Sequence, residues 1–150
     1  MSESFDRKAI RQQFADLLSA ILVGDGNLVR RLYSWQVDDF GGVTTVVVVS
    51  SGGSLPAPFT ARGGKNTVYL LVHVFVRYAD PEIGWTEEHC ENAIDDIATR
   101  LINSINNPDF WRSANWADVR IGERSRADGI DIGGADYRRE VFPVEIGVFA

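Results

Sequence analysis

The chain has 150 residues, 45% of them apolar and 24% charged. Those values fit one globular domain over 1–150 and exclude a disordered, collagenous or coiled-coil chain. Fifteen Lys and Arg stand against 21 Asp and Glu, a net charge of −6 with no basic tract, which excludes a nucleic-acid footprint.

Residues 5–23 read as a helix. Ile10, Phe14, Leu17, Leu18, Ile21 and Leu22 recur at helical spacing, and Arg7, Lys8, Arg11, Gln12 and Asp16 take the other face. Ser4 or Asp6 can cap its start, and the run Gly24-Asp-Gly-Asn ends it. Leu28–Trp35 reads as a weak strand, and Asp38-Asp-Phe-Gly-Gly-Val as a turn. Thr44–Ser50 is β-branched and continuously apolar, which predicts a strand buried on both faces. Residues 51–66 hold four Gly and two Pro and read as a long surface loop, mobile in the free protein and ordered on assembly.

The strongest strand is Thr67–Tyr78. Its even positions, Val68 to Val76, make one apolar face; Leu71, His73 and Phe75 lie on the other. Residues 86–106 read as a second helix, with Thr86 as N-cap, Trp85 and Cys90 at the hydrophobic-staple positions, and Cys90, Ala93, Ile94, Ile97, Leu101 and Ile105 as its buried stripe. Glu87, Glu91 and Asp95 fall one turn apart beside that stripe. A Trp-rich connection leads to a strand over 117–123. A Gly/Asp-rich arm over 124–136 follows, then a last strand over 137–149 in which Pro143 marks an edge or a break in pairing.

This order predicts an α+β fold: one mixed, mainly antiparallel β-sheet with two helices packed on one face, plus extended loop and hairpin arms. Two helices cover one face only. The set Leu71, His73 and Phe75 is therefore expected on an open face that calls for a partner.

Seven acids and no Lys or Arg lie between Asp80 and Asp96. The bases are 13 Arg and two Lys. Arginine forks suit carboxylate pairing at interfaces, and a GC-rich genome would give the same bias. Arg62, Arg124, Arg126, Arg138 and Arg139 are the candidates to meet the acids of the 80–96 stretch, Glu87, Glu91 and Asp95 among them, in a neighbouring copy, unless those acids line a lumen; Lys65 is a further interface candidate. The single Cys90 rules out an intrachain disulfide and a multi-cysteine zinc site. The acidic, polar start is wrong for a signal peptide, and no apolar run reaches the roughly 20 residues of a membrane helix, so a cytoplasmic site of synthesis and no membrane partner are expected. No nucleophile elbow, phosphate loop or calcium-loop spacing is present; Asp128, Asp131 and Asp136 are wrongly spaced for calcium.

Several stretches, in order, carry a resemblance over nearly the whole chain. They are Phe5-Asp-Arg-Lys-Ala-Ile-Arg, then Tyr33 through Asp39-Phe-Gly-Gly, then Val49-Ser-Ser. Val72-His-Val-Phe-Val-Arg-Tyr-Ala-Asp, Gly84-Trp-Thr-Glu and Glu123-Arg-Ser-Arg-Ala-Asp-Gly follow. The last are Gly133-Gly-Ala-Asp-Tyr-Arg-Arg-Glu and Pro143-Val. In this order they resemble the tail terminator or tail completion proteins of long-tailed bacteriophages, the minor tail protein U-like family. The resemblance implies a structural virion protein rather than an enzyme, with no cofactor and no metal. It implies a hexameric ring at the head-proximal end of the tail tube, with the tube protein and the head–tail connector as partners and DNA passing through the lumen unbound. The implied place is the virion tail or neck, assembled in the host cytoplasm. A different neck protein of the same particle, or a small cytoplasmic enzyme or ligand-binding domain, are the competing readings.

Overall fold

The computed structural model describes residues 6–23, 28–55, 65–122 and 125–149. Helix α1 (Arg7–Leu22) starts where the Asp6 carboxylate accepts a hydrogen bond from the Ala9 amide at 3.1 Å. It buries Ile10, Phe14, Ala15, Leu18 and Leu22. Helix α2 (Glu87–Ile105) is capped by Thr86, whose hydroxyl accepts from the His89 amide at 3.3 Å. His89 returns the contact: its Nδ1 accepts from the Thr86 amide at 3.0 Å, so an imidazole stands where a capping box carries Glu or Gln. Trp85 locks the approach by donating its indole N–H to the Arg77 carbonyl at 2.6 Å. The short helix α3 (Pro108–Trp111) follows.

The strands are β1 (Arg31–Tyr33), β2 (Thr45–Leu55), β3 (Lys65–Arg77), β4 (Asp118–Ile121), β5 (Arg126–Ile132) and β6 (Ala135–Phe149). They form one mixed sheet in the order β1-β2-β3-β6-β4, with β5 on the same side of β6 as β4. Among the described residues only the β1–β2 pair is parallel. Strand β6 is the spine: β3 lies along one side, and the other side is shared by β5 up to Val141 and β4 from Val144. Pro143 sits at the changeover, where a missing N–H breaks no ladder on the outer side. The chain passes it closely, the Gly122 amide donating to the Pro143 carbonyl at 2.7 Å. A Cβ on Gly122 would stand 2.4 Å from the Pro143 ring, so only glycine fits.

The helices and the sheet bury one core between them: Val47 and Val49 of β2, Val68 to Val76 at the even positions of β3, Phe142, Val144 and Ile146 of β6, and the apolar stripes of α1 and α2. The alternation of β3 thus places its even face as the sequence predicts.

Two sequence expectations are corrected, and one of the expected arms takes a definite form. The 51–66 stretch is not loop throughout, since β2 runs to Leu55 and β3 starts at Lys65; the remaining tip, 56–64, lies outside the described residues. The Gly/Asp-rich arm is a strand and tight turn, β5 folding back on β6 through Gly133 and Gly134, both at positive φ. The second sheet face is not open around Phe75. Phe40, Val46, Val48, Phe75, Ala135 and Tyr137 form a second buried core there. Its lid is the irregular segment 34–43, which leaves β1, crosses the sheet and reaches the far hairpin, where the Asp39 carboxylate lies against Gly133. Two helices do leave that face free, but the segment 34–43 covers part of it through Phe40, Val37 and Val43.

Candidate assembly surfaces

Phe75 is 5% exposed and His73 6% exposed. Phe75 stacks among aromatics, 4.9 Å from Phe40 and 6.5 Å from Tyr137, ring centre to ring centre. Of the three residues expected to lie exposed on this face, only Leu71 keeps partial exposure. It pairs with Pro143, and Tyr69 and Val141, also half-buried, continue the same face along the sheet. The open part of the face is therefore smaller than predicted and shifted away from Phe75.

His73 lies at the boundary of the second core. Its Nε2 is 3.0 Å from the Ser50 hydroxyl across the β2–β3 pair, and its buried Nδ1 has no partner. Burial, and to a lesser degree the positive Arg139, hold its pKa below the usual histidine value, while Asp128 acts the other way. A neutral ring packed beside Phe75 follows.

The arginines expected to reach a neighbouring copy are partly engaged within the chain. Arg139 forms a bidentate pair with Asp128 across the β5–β6 ladder, at 2.5 and 2.9 Å. That pair lowers the Asp128 pKa, its hydrogen bond to Arg139 dominating. Arg138 pairs with Glu91 of α2, joining the acidic helix to the sheet of the same subunit. Arg126 is exposed on β5. Arg62 and Arg124 lie outside the described residues, and Lys65 is the first residue of β3. Glu87 and Asp95 are exposed on α2, and Glu91, also exposed, carries the one intramolecular pair described for that face. Cys90 is buried under α2; burial raises its thiol pKa, opposed by Arg138, and leaves it inert.

Residues that the sequence reading passed over matter as much. Asp128 was read only as a failed calcium ligand, yet it is the partner of Arg139. Tyr137 and Phe40 complete the second core. The Tyr137 hydroxyl donates to the Val43 carbonyl at 2.7 Å, and burial raises its pKa. The signal available was alternation within β6, which puts Tyr137 on the same face as Phe75 through its neighbours in register.

Among the described residues no cluster of His, Cys, Asp or Glu could hold a metal ion, and no helix is long and apolar enough to cross a membrane. A concavity of about 590 Å³ forms an open groove beside the β5–β6 hairpin. It holds Asp128, Asp131 and Asp136 but no nucleophile–base pair. The features that stand out are surfaces: two sheet edges with no strand on their outer side among the described residues, an acidic helix face and a half-covered apolar stripe.

No family profile matches the chain, and no curated protein matches it. Among solved structures it is similar to a chain from the virion of a native gene transfer agent particle, at 13% identity, covering 93% of this chain and 91% of that one, with a TM-score of 0.41.

Proposed function

We propose that the protein is a structural component of a phage-like virion: a subunit of a ring, hexameric by family resemblance, that caps the head-proximal end of a tail tube. The ring ends tube polymerisation and offers its other face to the head–tail connector. The observation that carries this reading is the ordered set of sequence stretches, from the N-terminal helix to Pro143-Val, that resembles the tail terminator proteins across nearly the whole chain. The architecture suits it. One sheet with helices on one face, long β2–β3 and β5–β6 arms and two unlike edges can associate head to tail, so that each copy meets the next through different surfaces and the ring closes. The exposed Glu87 and Asp95 of α2 suit a lumen through which DNA slides, because no counterions are released where acid meets phosphate. On this reading the protein performs no catalysis and needs no cofactor. The test is tube elongation in vitro. Substoichiometric protein added to polymerising tube subunits is expected to shorten the final tubes in proportion to its concentration; unchanged tube lengths at a molar excess over tube ends would refute the proposal.

A further inference from the structure

The two edges of the sheet lie level with each other. In register, Arg31, Val46, Phe75, Arg139 and Asp128 form one row across β1, β2, β3, β6 and β5. Tyr33, Val48, His73, Val141 and Arg126 form another. The edge strands also run in opposite directions: β1 is parallel to β2, and each later step to β3, β6 and β5 reverses the chain. A copy moved sideways by one sheet width would therefore bring its β1 alongside β5 of the first copy, antiparallel and at the same height. No strand pairs with the outer side of either edge among the described residues.

The two edges differ in charge. Arg30 and Arg31 are exposed at β1, and no carboxylate pairs with them among the described residues. At the other edge, Asp131 and Asp136 stand directly opposite each other across the β5–β6 ladder. Like charges so placed destabilise a hairpin, and no cation pairs with either among the described residues. They border the groove of about 590 Å³, lined also by Ala127, Gly129, Tyr78, which is 51% exposed, and Arg138, whose charge is already met by Glu91. Arg30 precedes Arg31 and is bonded through its backbone to Thr45, which places it one step beyond the Arg31–Asp128 row, at the height of Gly129. Trp35, 59% exposed, follows β1 and supplies apolar surface to the same edge.

We infer that the acidic groove of β5–β6 is the docking surface for the β1 edge of a second copy, with Arg30 and Arg31 of that copy set against Asp131, Asp136 and Asp128. This rests on the ring reading and names the contact from which the ring is built. A guanidinium in this groove meets an aromatic ring and two carboxylates, a combination that suits Arg better than Lys. The carboxylate repulsion within the hairpin is relieved by the same contact.

Because the contact joins two different surfaces, complementary defects give a decisive test. One variant carries Gly129→Arg and Asp136→Arg. A Cβ at Gly129 meets nothing nearer than 4.0 Å, so the hairpin accommodates it. The other carries Arg30→Ala and Arg31→Ala. Sedimentation velocity at low salt is expected to show each variant weakened in self-association by about tenfold or more, with a native circular dichroism spectrum. Mixed one to one, the two are expected to form dimers that grow no further, since each pair keeps one intact contact. Asp136→Asn, which removes charge without bulk, is expected to weaken association less than Asp136→Arg. Assembly of either double variant at the wild-type concentration would overturn the inference, as would a mixture that stays monomeric while wild type assembles. If that wild type also arrests tube growth, the ring reading stands and only this contact fails; if wild type neither associates nor arrests growth, both fail.

Discussion

Replacing Phe75 with Ala tests whether the second sheet face is core. The ring is 5% exposed and meets Phe40 at 4.9 Å, Tyr137 at 6.5 Å and His73 at 5.9 Å, centre to centre. Truncating a buried Phe to Ala typically costs about 3–5 kcal/mol, and the aromatic pairs add to its burial. This core is small and its lid is an irregular segment that can settle into the gap, so the expected loss is near the lower end, about 3 kcal/mol. For a domain of this size that corresponds to a fall in Tm of roughly 6–12 °C. Urea unfolding measures it, with Phe40→Ala and the double variant closing a cycle. A coupling of about 1 kcal/mol is expected because the two rings touch. A loss under about 1 kcal/mol, or no coupling, would refute the two-core description. Phe75→Asp is expected to unfold the subunit. It buries a carboxylate in an apolar cluster, and Arg139, opposite it in register, is already bound to Asp128.

Three further outcomes follow from named contacts. His73 has a folded pKa below its unfolded value of about 6.5, so the unfolded chain takes up the proton first and stability falls as pH drops below about 6.5, until the folded ring also titrates; His73→Gln is expected to flatten that part of the urea-midpoint profile, above the range where Asp128 titrates. Tyr137→Phe removes the donor to the Val43 carbonyl and is expected to cost about 1–2 kcal/mol in the same assay, the orphaned carbonyl being shielded by the lid. Gly133→Ala places a Cβ 2.5 Å from the Asp39 carboxylate at a residue with φ of 61°, and a loss of at least about 1 kcal/mol by thermal unfolding is expected, partly recovered by Asp39→Ala.

The elements that could be read from the chain were those whose signal is local. Thr86 caps α2, the apolar stripes of α1 and α2 face the core, and the even positions of β3 are buried. The second core is invisible locally. Phe40, Phe75 and Tyr137 meet from three distant parts of the chain, and the segment that brings Phe40 there has no period to detect. The 124–136 arm has no strand period of its own, because Gly and Asp are poor strand formers; pairing with β6 along the whole length of β5 overrides that preference. The candidate surfaces suffered likewise. Charge alone set Arg138 and Arg139 against a neighbour, whereas alternation along β6 places one beside Glu91 and the other beside Asp128 in the same subunit. The pairing of Asp131 with Asp136, and the level edges of the sheet, depend on register, which composition does not encode.

Electron microscopy of purified tail tubes incubated with this protein bears most directly on the ring reading. The expected result is a ring of subunits seated on one end of each tube and absent from the other, with no decoration along the sides. Tubes with bare ends, or protein bound evenly along their length, would contradict it.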